Sequence, residues 1–157
     1  MRNIVDDLSR VGKILGYMIH PKFTGHVEQH DFGRGIGAVQ PDFWDQYLEF
    51  VSLMDGFIID GYSVYGLSNY DEVHNELFEY NDEQTNILRE APELVVDEIN
   101  YLIFIGSTGT DSFVYDVRTH KWEVRDRIAI DEAYESFDSL VEFLAAQLAR
   151  IKADNDL

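Results

Sequence analysis

Five consecutive apolar residues, Tyr101-Leu102-Ile103-Phe104-Ile105, bounded by Gly106, place the strongest constraint on what this chain can fold into. A strand that is apolar on both sides needs cover on both faces of its sheet. Its surroundings extend the pattern. Gly106-Ser107-Thr108-Gly109 reads as a turn, Phe113, Tyr115 and Val117 alternate with more polar neighbours, and Arg118-Thr119-His120 forms a loop. Trp122 and Val124 then alternate with Glu123 and Arg125. A period of two predicts successive antiparallel strands. Earlier in the chain, Phe57 to Gly66 sets β-formers around Asp60-Gly61, which predicts one interrupted strand or a short hairpin.

Helices flank these strands. Ile4, Val5, Leu8, Val11, Leu15 and Met18 form the stripe of an amphipathic helix ending before Pro21. From Pro21 to Gly37 the glycine-rich chain loses periodicity and reads as an extended loop or short edge strand. Pro41 suits a first helical position, and Trp44, Tyr47, Leu48 and Val51 repeat on one face, so a buried helix is expected up to Asp55-Gly56. At the other end Ser136 offers an N-cap hydroxyl to a helix carrying Phe137, Leu140, Val141, Leu144, Leu148 and Ile151. This order of elements predicts an α+β fold: one domain over residues 1–157, with a central antiparallel or mixed sheet packed by N- and C-terminal helices.

Residues 69–99 differ in kind. Ten acidic residues face one base, Arg89, leaving −9 in a chain whose net charge is −18. Val73, Leu77, Phe78, Ile87 and Leu88 recur at partly helical spacing there, so one or two short helices laid on the domain are expected. A field of this sign repels phosphates and anionic lipid heads, which argues against nucleic-acid and membrane partners and favours a cationic one. With no cysteine there is no disulfide, thiolate nucleophile or Cys-ligated metal. The start of the chain has no signal-peptide pattern, and a cytoplasmic protein is expected.

Catalytic patterns are sparse. His26, Glu28 and His30 share a face only on a strand, where they could hold a divalent ion for a metal-assisted hydrolase; the spacing is not that of a zincin. Gly33-Arg34-Gly35-Ile36-Gly37 lacks the spacing of a phosphate loop, and a conformational role is expected. No serine elbow occurs, and thirty acids make carboxylate pairs uninformative. The acidic segment remains as a docking surface: Tyr70, Asp71, Glu72, Glu76, Phe78, Glu79, Tyr80, Asp82 and Glu83 are the candidate partner-binding residues, the carboxylates for steering and the aromatics as anchors.

Seven short stretches also carry a family pattern. Ile36 to Trp44, Leu53 to Gly56 and Gly61-Tyr62-Ser63-Val64-Tyr65-Gly66-Leu67 resemble the hallmark of the SUKH superfamily. Leu102 to Gly106, Gly109 to Asp116, Trp122 to Val124 and Phe137 to Leu144 are similar to its later strands and closing helix. The likeness spans about residues 36–148 and is nearest the YrhA-like bacterial group; Asp55 stands where asparagine is commoner, and the insert at about 69–99 lengthens the middle. It implies an α+β domain with no catalytic residues, no cofactor and no small-molecule substrate. Many bacterial members are immunity proteins that neutralise a polymorphic or contact-dependent toxin, often a nuclease, while others are regulatory scaffolds of cell-wall or signalling type. The expected partner is therefore a basic toxin domain.

Overall fold

A computed structural model describes residues 1–27, 31–36, 40–70, 76–94 and 96–157. In chain order it holds helix α1 (Arg2–Ile14), helix α2 (Pro41–Val51), strands β1 (Phe57–Ile59) and β2 (Tyr62–Val64), and helix α3 (Leu77–Glu90). Two short 3-10 turns follow (Pro92–Leu94 and Asp97–Tyr101), then strands β3 (Leu102–Ser107), β4 (Asp111–Asp116), β5 (Lys121–Asp126) and β6 (Ala133–Phe137), and helix α4 (Leu140–Asp154). The six strands make one antiparallel sheet in sequence order. With α1 and α4 packed together, the chain is a single α+β domain.

One face of the sheet is built on aromatic packing. Phe43, Trp44, Tyr47 and Phe50 of α2 are fully buried, and the Phe43 ring lies 5.3 Å from Tyr115 and 5.5 Å from Trp122. From α4, Phe143 meets Phe113 edge-on at 5.1 Å. Each such side chain removed from water contributes about 1.5–3 kcal/mol, so this layer is a major part of the core. The apolar run becomes β3, and Leu102, Ile103, Phe104 and Ile105 are all buried.

The β1–β2 connection is a tight hairpin in which Asp60 and Gly61 both take positive φ (50° and 79°), as a type I′ turn requires. Of the other strands, β2 and β3 are neighbours in the sheet yet lie at the two ends of a long excursion that contains α3. Their pairing is brief: Ser63 with Ser107 and Val64 with Gly106, extended by Tyr65 N–H donating to Ile105 C=O at 2.8 Å. Among the described residues, no strand covers the edge of the first half of β3.

Three local expectations are corrected. Helix α1 stops at Ile14, short of Met18, because Gly16 turns left-handed (φ +82°) and Tyr17 N–H closes onto Gly12 C=O at 2.8 Å; Met18 is exposed. Gly106 lies inside β3 at a bulge instead of bounding it, since a Cβ there would meet the Ser63 carbonyl oxygen at 2.1 Å. Ser136 and Phe137 belong to a sixth strand, and α4 is capped by Ser139, whose hydroxyl accepts from Glu142 N–H at 3.2 Å. Glu123 and Arg125 are buried, because both faces of β5 are covered.

Candidate partner-binding surface

The acidic segment supplies α3, a 14-residue helix whose start is set by its own carboxylate. Glu76 precedes it in extended conformation and accepts from the N–H groups of Phe78 (3.1 Å) and Glu79 (2.8 Å), while Leu77 N–H donates to Gly66 C=O. Partial burial pushes the Glu76 carboxyl above the usual range; the two N–H bonds act the other way, and the charges of Glu79 and Asp82 add to the rise.

Leu77, Asn81 and Thr85, one helical turn apart, form the buried face of α3, and this face closes the open edge of β3. Asn81 Nδ2 donates to Phe104 C=O (2.8 Å) and to Leu77 C=O (2.8 Å), while its Oδ1 accepts from Phe104 N–H (2.9 Å). The side-chain amide thus does for Phe104 what a neighbouring strand's peptide would do. Arg34 completes the edge: its guanidinium donates to the carbonyls of Ile99 (2.6 Å) and Leu102 (2.8 Å) and to Asn81 Oδ1 (2.9 Å). Burial pulls that guanidinium down to about 10, with Asp82 opposing. Thr85 Oγ1 donates to Phe32 C=O at 2.6 Å, tying the turn that carries Arg34 to the helix.

The outer face of α3 is exposed at Glu79, Asp82, Glu83 and Asn86. Together with Glu76 and Phe78 these residues line a shallow depression of about 620 Å³. Five of the nine residues nominated for partner binding, Glu76, Phe78, Glu79, Asp82 and Glu83, are therefore gathered at one place. The nominated aromatics are tied into the protein itself. Phe78 lies 5.9 Å from Phe32 and 6.1 Å from Trp44, and Tyr80, on the other flank of the helix, lies 4.9 Å from Tyr65 and 5.7 Å from Phe104. Tyr70 donates its hydroxyl to Asp55 Oδ2 at 2.7 Å and packs on His20 at 4.6 Å. Asp71 and Glu72 fall outside the described residues.

Of the candidate metal ligands, His26 is exposed beside Phe23 and Val27, while Glu28 and His30 fall outside the described residues. Among the described residues no three His, Asp or Glu side chains gather as a metal site. Gly33 and Gly35 adopt positive φ (69° and 70°) in the turn that aims Arg34 at β3. That is a conformational role.

Two buried polar clusters went unread in the sequence. Asp55, fully buried, accepts from Leu67 N–H at 2.6 Å and from Tyr70, and its carbonyl oxygen lies 3.0 Å from His20 Nδ1. On the sheet, Arg125 is held by Glu123 (2.7 Å) and Asp116 (3.1 Å), and Arg118 also pairs with Asp116 (2.7 Å). Burial alone would raise the Asp116 carboxyl, but the bonds from Arg118 and the two guanidinium charges hold it below the usual range. The sequence signal for both was weak: a single acid before a glycine, and charges at alternate positions of a strand.

No protein-family model matches the chain, and no curated protein matches it either.

Proposed function

We propose that this protein is a non-enzymatic binding domain that acts as an immunity protein: it covers the basic active surface of a bacterial toxin domain, a nuclease being the class best suited to its charge. The observation that carries this reading is the outer face of α3. It presents Glu79, Asp82 and Glu83 to solvent on a helix that Asn81 and Arg34 clamp to the sheet. An anionic face held in this way raises the encounter rate with a cationic partner and loses little backbone freedom on docking. The SUKH resemblance supplies the kind of partner; charge supplies the chemistry. Such a protein works in the cytoplasm, where an incoming nuclease meets its substrate. Among the described residues no helix is long and apolar enough to cross a membrane.

Co-expression with a toxin domain encoded beside it tests the proposal. The expected result is a complex that co-elutes on gel filtration and protects the host cell. Neither complex nor protection would overturn it.

A further inference from the structure

The opposite flank of α3 carries a second feature. Tyr80, Ile87, Val96 and Ile99 form one wall of a groove of about 410 Å³, and Phe104 lines it from the sheet. The other wall is the loop after β5, which includes Ile128. Three large apolar side chains at this groove are left in water: Ile87 (44% exposed), Val96 (42%) and Ile128 (95%). Scattered exposed apolar residues need no explanation, but several converging on one concavity mark an interaction site.

The loop that presents Ile128 is firmly built. Asp126 Oδ1 accepts from the N–H groups of Ile128 (2.7 Å) and Ala129 (2.8 Å). Arg127 N–H donates to Thr110 C=O (2.9 Å), Arg125 donates to Ile130 C=O (2.8 Å), and Ile130 is buried. The buried Asp116–Glu123–Arg125 cluster is the footing of this loop. Its structural effect is to hold one isoleucine out from the surface in a fixed position.

We propose that this groove is the anchoring site for apolar side chains of a basic protein segment, so that one partner is steered by the outer face of α3 and seated on its inner flank. The inference rests on the reading of this protein as a binder of a cationic partner. Charge selects the occupant through the adjoining face: the described lining carries no acid, but Tyr80 and Ile87 lie on the same helix as the exposed Glu79, Asp82 and Glu83, which draw a cationic segment to this place. A second copy of the chain would bring another −18 to the same place, and like charge opposes it. Arg127 is the one base in the lining; its N–H groups can donate to the main-chain carbonyls of an extended segment.

The test uses the full chain, 15N-labelled, with two synthetic peptides of equal charge, one of lysine and leucine and one of lysine and serine. The lysine–leucine peptide is expected to shift the amides of Ile87, Val96 and Ile128 as well as those of Glu79, Asp82 and Glu83; the lysine–serine peptide should shift only the latter three. Ile128→Ser, at a position too exposed to disturb the fold, should weaken the lysine–leucine peptide about tenfold or more and leave the other unchanged. Shifts confined to Glu79, Asp82 and Glu83 with both peptides would overturn the groove as an anchor while leaving the proposed function standing. Binding of neither peptide would overturn both readings. A wild-type dimer in sedimentation that Ile128→Ser dissolves would assign the groove to self-association and overturn the anchor.

Discussion

Replacing Asn81 by alanine removes the amide that substitutes for a missing strand beside β3. Two main-chain groups, Phe104 N–H and C=O, lose their partner at 2.9 and 2.8 Å, and the Arg34 guanidinium loses one acceptor. The site is fully buried, so water cannot replace the amide without opening the helix. Each buried polar group left unsatisfied costs about 1–3 kcal/mol, which puts Asn81→Ala at about 3–5 kcal/mol when the small cavity is included. That is a large share of the roughly 5–15 kcal/mol that holds a domain of this kind folded. Urea titration followed by tryptophan fluorescence measures it well, because Trp44 and Trp122 are both fully buried. Asn86→Ala, on the exposed side of the same helix, is the control and should stay within about 0.5 kcal/mol of wild type. Hydrogen exchange should show the Phe104 amide losing protection in the Asn81 variant before the amides of β4 do. A cost below about 1 kcal/mol for Asn81→Ala would refute the view that α3 is held to the sheet by this amide.

Other outcomes follow from the same contacts. Gly106→Ala should destabilise by about 1–3 kcal/mol or more, read by the same titration, because its Cβ would run into the Ser63 carbonyl and part β2 from β3. Asp55→Ala should cost about 1–3 kcal/mol by stranding Leu67 N–H, whereas Asp55→Asn should recover most of that in a thermal melt, its amide oxygen still accepting from Leu67. The folded Asp116 carboxyl lies below its unfolded value, so its contribution is present above about pH 4 and is lost as pH falls through the folded value. Stability measured from pH 6 to pH 2 should therefore fall less steeply in Asp116→Asn, from a lower starting point at pH 6.

The helical stripe of α2 was legible because burial there follows the helical period, and β4 and β5 were legible because their large apolar residues, Phe113, Tyr115, Trp122 and Val124, alternate along the strands although both faces are buried. Strand β6 was not, since an edge strand with half-exposed residues carries little pattern, and its Ser136 resembles a helix cap as much as Ser139 does. Charge at alternate strand positions, as at Glu123 and Arg125, normally faces solvent; only the fold shows these two neutralising one another beneath the 127–130 loop. Asn81 left no signature, as its partner is the main chain of Phe104, 23 residues away. The charge of the 69–99 segment was plain, but not its division into two flanks of one helix. Tyr70, Phe78 and Tyr80 are all engaged within the domain, whereas Ile87, Val96 and Ile128 stand exposed at the groove.

The central claim is that the outer face of α3 steers a basic partner. Glu79→Lys, Asp82→Lys and Glu83→Lys together move the net charge from −18 to −12; Glu76 is left in place because its carboxylate caps the helix. The direct measurement is the stopped-flow association rate with the partner toxin domain across a range of ionic strength, for wild type and for this triple variant. The wild-type rate should drop at least tenfold from low to high salt, and the triple variant should associate slowly with an almost flat salt dependence. Equal rates and equal salt slopes for the two proteins would contradict the account.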